Sequence, residues 1–173
     1  MKLSICIPTY NRAKHLANCL QSIHSLESRS DVNFQVCVSD NCSTDDTESI
    51  VLSAKQKMPI SYRKNPSNLG IPRNFLNVVE MADGDFVWLV GDDDLLMPYA
   101  LKTLLALIEK HQNVDFFYVN SFHLKTEYVF SFPQPFDITN LPKNMVPFSS
   151  WATDGELKFM DRINPKISLD FLG

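Results

Sequence analysis

Two spacings of apolar residues alternate along the chain as far as residue 119. Short apolar runs, which suit strands buried on both faces, occupy residues 3–7, 34–38, 60–63, 86–90 and 115–119. Between these runs, apolar residues recur every three or four positions, as on one face of a helix, within residues 16–23, 50–54, 71–82 and 101–108. The alternation predicts the order βαβαβαβαβ. It therefore predicts an α/β fold with three α/β/α layers, in which helices cover both faces of a mostly parallel sheet.

The pattern loosens after residue 122. Residues 123–132 alternate weakly between apolar and polar side chains, which predicts an edge strand or a pair of strands. Five of the ten prolines fall between residues 133 and 173, and a long irregular segment in a compact domain is usually a functional loop or a disordered one. We therefore divide the chain into an α/β part, residues 1–122, and an irregular proline-rich part, residues 123–173.

The composition is that of a mildly acidic globular protein. The 173 residues are 45% hydrophobic and have a formal net charge of −4 with both signs mixed, which argues against disorder, a coiled coil and a basic surface for nucleic acid. No apolar run approaches the roughly 20 residues that cross a bilayer, and no signal-peptide cleavage site follows the first run. The spacing of the four cysteines is not that of a zinc site. These features predict a cytoplasmic protein without a transmembrane segment and leave its oligomeric state open.

Three polar loops follow predicted strands, at residues 8–12, 40–45 and 91–94. In an open parallel sheet such loops gather at the carboxyl edge, where ligands bind. The sequence has neither a GxGxxG motif after the first strand nor a GxxxxGK[ST] phosphate loop, so the usual dinucleotide and P-loop sites are not indicated. A nucleotidyltransferase is disfavoured because it would need a glycine-rich triphosphate loop after the first strand.

The loop at residues 91–94 concentrates negative charge. Five carboxylates and no Lys or Arg lie between residues 83 and 94, and Asp92, Asp93 and Asp94 are consecutive. Two like charges about 4 Å apart repel by roughly 4 kcal/mol at an effective dielectric near 20, so the cluster is unfavourable without a counter-ion. Hard divalent cations such as Mg²⁺ or Mn²⁺ bind carboxylates together with substrate phosphates. The alternative is that the aspartates cap the helix that begins near residue 98.

Three further polar residues are candidates for nucleotide contacts. Asp40 ends a predicted strand and is placed to accept a hydrogen bond from a base or a ribose hydroxyl, or else it serves as a turn residue. Arg12 and Arg73 have the planar guanidinium that binds two phosphate oxygens at once. An isolated arginine, however, is more often a solvated surface residue.

Five segments resemble, in the same order and at similar spacing, those of family 2 glycosyltransferases, which have the GT-A fold. They are residues 4–12, 38–45, 68–74, 82–89 and 91–98. The resemblance covers roughly residues 2–121 and is greatest to bacterial enzymes of the O-antigen or capsule type, abequosyltransferase-like enzymes among them. It implies a nucleotide-diphospho-sugar transferase sheet and a nucleotide-sugar donor.

The resemblance also implies which residues bind the nucleotide. The set carried over position by position is Pro8, Thr9, Tyr10, Arg12, Asp40, Arg73 and Asp92. Within this set the Tyr10 ring would stack on the base and Asp40 would hydrogen-bond the base edge. Arg73 would lie near the base or the phosphates.

The resemblance implies, in addition, a site for Mn²⁺ or Mg²⁺. The acidic motif of the family usually has two aspartates one residue apart, and here Gly91 stands where the first of them often lies. Asp93 would then be the principal metal ligand. Asp92 would contact the ribose or a metal-bound water and is a second candidate ligand, and Asp94 is a third.

The reaction that the resemblance implies is an inverting transfer to a saccharide or lipid-linked saccharide acceptor. The catalytic base of the family is a carboxylate well after the metal motif, and none of the late acids stands in a matching motif: Asp154, Glu156, Asp161 and Asp170. We therefore expect this chain to be the donor-binding part, with the acceptor region only begun and the base beyond Gly173. A lipid-linked acceptor would place the enzyme at the inner face of the cytoplasmic membrane. The alternative is a non-catalytic nucleotide-sugar-binding module.

Overall fold

Four strands and four helices alternate along the first two thirds of the chain in a computed structural model, which describes residues 1–26, 32–149 and 155. The strands are β1 (Leu3–Thr9), β2 (Phe34–Asp40), β3 (Ile60–Lys64) and β4 (Phe86–Leu89). The helices are α1 (Ala13–His24), α2 (Thr47–Lys55), α3 (Ile71–Val79), α4 (Ala100–Lys110) and the short α5 (Thr126–Phe130), followed by a 3₁₀ turn (Ile138–Asn140). Within the described ranges, none of the helices has the length and apolar character needed to cross a membrane.

The four strands form one parallel sheet in the order β3-β2-β1-β4. Thr9 at the end of β1 pairs in register with Asp40 at the end of β2. The β4 ladder ends at the Cys6–Leu89 pair, but the Val90 amide still donates to the Cys6 carbonyl at 3.0 Å. The loop that follows Val90 therefore leaves the sheet beside the carboxyl end of β1.

The two faces of the sheet differ in the size of their side chains. Alternate positions of β1 and β2 place large aliphatic residues on one face, where α1, α2 and α4 cover them. The other face presents small residues, among them Ser4, Cys6, Cys37 and Ser39, which are fully buried. Cys6 and Cys37 pack there against Val78 of α3. The result is the predicted three-layer α/β/α arrangement, and the small side chains let α3 lie close to the sheet.

The predicted fifth strand at residues 115–119 is wrong. This segment forms no ladder with β4, which is the last strand on its side of the described sheet. Phe117 packs edge-on against Phe86, with ring centroids 6.5 Å apart, whereas Phe116 and Tyr118 are largely exposed. The apolar run thus reflects a packed aromatic side chain beside the sheet edge and not strand pairing.

The predicted strand or strand pair at residues 123–132 is also wrong, because residues 126–130 form α5. Aromatic rings four residues apart lie on one side of this turn, and the ring centroids of Tyr128 and Phe132 are 5.1 Å apart. Phe130 meets His15 of α1 edge-on at 4.9 Å. The weak alternation in the sequence therefore came from aromatic residues that join this segment to α1.

A network of buried asparagines holds α3 and the loop before it against the carboxyl ends of β1 and β2. Asn74 accepts hydrogen bonds from Ser39 Oγ at 2.7 Å and from Asn65 Nδ2 at 3.0 Å. Its own amide nitrogen donates to the carbonyls of Ser39 at 3.0 Å and Thr9 at 3.4 Å. Asn41 joins the same network by accepting from Asn65 Nδ2 at 3.2 Å. Because these polar groups are buried, each needs its partners in the network to form its hydrogen bonds.

Asn74→Ala should lower the free energy of unfolding by about 3 kcal/mol, because the buried Ser39 hydroxyl loses its acceptor and Asn65 Nδ2 loses one of its two acceptors. Urea denaturation followed by circular dichroism measures this change. The control is Leu76→Ala, an exposed position of the same helix, where a change within about 0.5 kcal/mol is expected. Equal unfolding midpoints for the two variants would contradict a structural role for the network.

Candidate functional site

Three loops meet at the carboxyl edge of the sheet. Thr9 Oγ1 donates to Asp92 Oδ2 at 2.8 Å and joins the end of β1 to the loop after β4. The Asn11 amide donates to Ser43 Oγ at 2.8 Å and joins the first loop to the one after β2. The loops at residues 8–12, 40–45 and 91–94 are thus neighbours, as their positions after parallel strands predict.

Asp45 fixes the beginnings of two helices beside these loops. Its Oδ2 accepts from the Ala13 amide at 2.9 Å, and its Oδ1 accepts from the amide and the hydroxyl of Thr47. Burial alone would raise the pKa of Asp45, but the hydrogen bonds from Thr47 and Ala13 outweigh it and lower that pKa. The α1 helix therefore begins at a fixed place, directly after Arg12.

Arg12 lies between two of the three consecutive aspartates. One guanidinium nitrogen, Nη1, is 2.8 Å from Asp93 Oδ2 and 3.4 Å from Asp92 Oδ1. The Arg12 and Asp93 side chains are about half exposed, whereas the Asp92 side chain is 9% exposed. The charge of Asp92 raises the pKa of Arg12. The two carboxylates therefore converge on a single cationic group.

Asp92 is the most buried acid of this loop. Burial raises its pKa, because removal from water disfavours the charged form. The Thr9 hydroxyl and the Arg12 charge act in the opposite direction and favour the carboxylate. His15 lies one helical turn after Arg12 and also lowers the pKa of Asp92, but by less than Arg12 does.

Asp94 differs from its two neighbours because it turns back on its own loop. Its Oδ2 accepts from the Gly91 amide at 2.8 Å, and burial raises its pKa. A Cβ added at Gly91 would lie 2.9 Å from Asp94 Oδ2 and 3.0 Å from Asp93 Oδ1. A side chain at Gly91, the position where the resemblance would often place an aspartate, would therefore require the carboxylates of Asp93 and Asp94 to shift.

Asp40 is fully buried and lies behind the surface of the site. Its Oδ1 accepts from the Ser43 amide at 2.8 Å, and its Oδ2 accepts from the Tyr62 hydroxyl at 2.7 Å. Burial and the Asp40 carboxylate together raise the pKa of Tyr62. In this structure the carboxylate of Asp40 therefore shapes the loop at residues 40–45 and ties it to β3.

The remaining predicted nucleotide contacts surround the same edge. Pro8 is half-buried, and Tyr10 follows it with a ring that is 43% exposed. Arg73 is exposed in the first turn of α3. No hydrogen bond or ion pair joins Arg73 to the three loops among the residues that the structure describes. The loop at residues 65–70 borders the site because Asn41 donates to Asn68 at 2.8 Å.

Several residues that shape the site were not predicted from the sequence. Tyr62 and Asn41 act through hydrogen bonds that join the loop at residues 40–45 to its neighbours, and His15 favours the carboxylate form of Asp92. For His15 a signal was present, since it is three residues after Arg12 and helical spacing puts the two on one side of α1. Tyr62 and Asn41 left no comparable signal, because their partners are distant in the sequence. The late acids Asp154, Glu156, Asp161 and Asp170 lie outside the described residues.

The carboxylates of Asp92 and Asp93 fit a hard divalent cation by the chemistry of their oxygens. Such cations are often bound by one or two carboxylates and complete their coordination with water and substrate phosphates. In the described part of the chain, no group of three or more His, Cys, Asp or Glu side chains is arranged to hold a metal ion. Asp92 and Asp93 would supply the protein ligands, and the positive charge of Arg12 now balances them.

Comparison with known proteins identifies the family. The pattern of glycosyl transferase family 2 matches residues 4–155. The chain is 40% identical over 116 residues to the abequosyltransferase RfbV of Salmonella typhimurium, an alignment that covers 66% of this chain and 34% of the relative. It is 36% identical over 129 residues to the GalNAc(5)-diNAcBac-PP-undecaprenol β-1,3-glucosyltransferase of Campylobacter jejuni, which covers 66% and 41%. The chain therefore spans well under half the length of these relatives.

Solved structures agree with the sequence comparison. Residues 1–349 of TarS from Staphylococcus aureus in complex with UDP-GlcNAc superpose with a TM-score of 0.61 at 33% identity, covering 65% of this chain and 32% of that one. The mannosyltransferase PcManGT from Pyrobaculum calidifontis, solved with GDP-Man and Mn²⁺, superposes with a TM-score of 0.56 at 22% identity. The match covers 61% of this chain and 32% of that one, and it supports the fold alone. With this GT-A architecture and a family match over most of its length, the chain belongs to glycosyl transferase family 2.

Proposed function

We propose that this chain is the donor-binding part of a glycosyltransferase that uses a nucleotide-sugar and Mn²⁺ or Mg²⁺. The observation that carries the proposal is the convergence of Asp92 and Asp93 on one cationic group beside Thr9, at the edge of the sheet where ligands bind. A donor diphosphate brings negative charge to this edge, and a divalent cation between it and the two aspartates would balance that charge. Asp94 is the third candidate ligand, and one of its two carboxylate oxygens already accepts from the Gly91 amide.

The nucleotide would lie across the loops after β1 and β2. The exposed side chain of Tyr10 offers a face on which a base can stack, and Pro8 and Thr9 would line the pocket beside it. Asp40 acts through the loop that it orders, and a direct contact with the base edge would require that the fully buried carboxylate become accessible. The guanidinium of Arg73 would reach the base or the phosphates from the start of α3.

The acceptor is proposed to be a saccharide or a lipid-linked saccharide in cell-surface polysaccharide synthesis, with inversion at the transferred sugar. The Campylobacter jejuni relative is named for an undecaprenol-linked saccharide, which supports a lipid-linked saccharide as the acceptor. A lipid-linked acceptor implies action in the cytoplasm or at the inner face of the cytoplasmic membrane. In this scheme residues 1–122 bind the donor, and residues 123–173 begin the acceptor side.

A screen of nucleoside diphosphates and their sugar conjugates with Mn²⁺ tests the proposal. At 100 times the dissociation constant, a ligand that binds only the folded chain adds about 2.7 kcal/mol of stability. For a chain of this size that corresponds to a rise in Tm of about 5–10 °C. We expect such a rise with at least one uridine, guanosine, cytidine or thymidine diphosphate, and a smaller one when a chelator replaces Mn²⁺. Stabilisation that is equal with chelator would contradict the metal site.

Asp93→Asn should remove the Mn²⁺-dependent part of this stabilisation, because the amide keeps the shape of the side chain and removes its charge. The measurement is the Tm shift with nucleoside diphosphate in the presence and absence of Mn²⁺. The matched control is Asp83→Asn, since Asp83 precedes the opposite end of β4 and pairs with Lys2 at 2.6 Å. If both variants keep the metal-dependent shift, Asp93 is not a ligand.

Thr9→Val should weaken nucleotide binding by roughly tenfold or more, because the buried Asp92 loses a hydrogen bond and turns out of position. Thr9→Ser keeps the hydroxyl and should retain affinity near that of the unsubstituted chain. Isothermal titration with the best nucleoside diphosphate and Mn²⁺ measures both. Equal nucleotide affinities of Thr9→Val and Thr9→Ser would show that the Thr9 hydroxyl has no part in binding. Binding without transfer, even when a longer chain is supplied, would favour the non-catalytic alternative.

A further inference from the structure

Arg12 contacts both of the carboxylates that are proposed to bind the divalent cation. Its Nη1 contacts Asp92 Oδ1 and Asp93 Oδ2 together, while Asp92 Oδ2 is taken by the Thr9 hydroxyl. The guanidinium therefore lies between Asp92 Oδ1 and Asp93 Oδ2 and is bonded to both. A divalent cation at the same place would lie next to a positive charge that it repels, and it would find its oxygen ligands already hydrogen-bonded.

The side chain of Arg12 is able to move away from the aspartates. About half of it is exposed, and its backbone lies at the N-cap of α1, where Asp45 fixes the helix start without involving the Arg12 side chain. Phosphate oxygens suit a guanidinium as well as carboxylates do, because both accept two parallel hydrogen bonds. A diphosphate at the edge of the sheet therefore offers Arg12 a second anionic partner.

We infer that Arg12 is an exchangeable counter-ion that keeps a divalent cation off Asp92 and Asp93 until a nucleoside diphosphate arrives. In the free chain the guanidinium balances the two carboxylates. When the diphosphate binds, Arg12 transfers to it and frees the two oxygens, so that cation and nucleotide bind together and the cation does not bind first. This inference rests on the proposed function of the site.

The inference predicts opposite effects of one substitution on two ligands. Arg12→Gln keeps a polar side chain of moderate length but removes the charge, so Mn²⁺ alone should bind at least tenfold more tightly than to the unsubstituted chain. The same variant should bind nucleoside diphosphate with Mn²⁺ more weakly, because a phosphate contact is lost. Arg12→Lys retains the charge and should keep the weak binding of Mn²⁺ alone. A purely structural role for Arg12 would weaken both ligands together.

The experiment is Mn²⁺ titration followed by electron paramagnetic resonance, without nucleotide and then with UDP, GDP, CDP or dTDP in turn. Lys14→Gln is the matched control: it makes the same change in net charge at an exposed position two residues along the chain, and it should leave Mn²⁺ affinity unchanged. Circular dichroism verifies that each variant is folded. If Arg12→Gln does not fold, Arg12→Ala is used in its place.

The outcomes separate the inference from the function on which it rests. If the unsubstituted chain binds nucleotide with Mn²⁺, and neither Arg12→Gln nor Arg12→Ala binds Mn²⁺ alone more tightly than it does, the counter-ion role is overturned and the donor site stands. If Lys14→Gln tightens Mn²⁺ binding as much as Arg12→Gln, general electrostatics explain the result and the inference also fails. If no nucleoside diphosphate binds any of the chains with Mn²⁺, the proposed function itself fails.

Discussion

The hydrogen bond between Thr9 and Asp92 is the contact on which the arrangement of the site depends. It joins the last residue of the central strand β1 to a loop that follows β4, far along the chain. The bond is possible because β4 lies directly beside β1 and the chain continues in register to Val90. Parallel pairing thus converts a separation of more than eighty residues into a contact of 2.8 Å. It also holds a carboxylate in surroundings that disfavour its charge, which creates the need for a cation nearby.

The fold was predictable where the physical signal is local and periodic. The alternation of apolar runs predicted the four strands of the sheet and the helices between them, because each strand and each helix packs one side against the core. It failed at residues 115–119 and 123–132, where aromatic residues pack individually and not as members of a strand. A short apolar run has the same appearance in both cases. Only the absence of a hydrogen-bonding neighbour distinguishes them, and that is a property of the assembled sheet.

The site was predictable in its location and only partly in its contacts. Three polar loops after parallel strands must share an edge, so the approach of Thr9 to Asp92 follows from the order of elements. The order of elements does not, however, predict which groups pair with each charged side chain. Asp40 is predicted to hydrogen-bond a base edge, and its two oxygens also accept from the Ser43 amide and the Tyr62 hydroxyl. Arg12 is predicted to bind phosphate, and its guanidinium also pairs with two aspartates. Such pairings depend on side-chain reach across loops, which spacing in the sequence does not record.

The two sides of the site differ in how firmly they are held, and the difference follows from the two faces of the sheet. Small residues on one face let α3 approach closely, and buried asparagines then bind the loop at residues 65–70 through bonds that water cannot replace. Arg12, by contrast, extends from the N-cap of α1 with half its surface in solvent, and among the described residues its guanidinium pairs with Asp92 and Asp93. Ionic bonds in water are weak and exchange readily. If the site binds a nucleotide as proposed, the firmly held side would keep the shape of the pocket, and the charge of Arg12 would be the part of the site that changes partner.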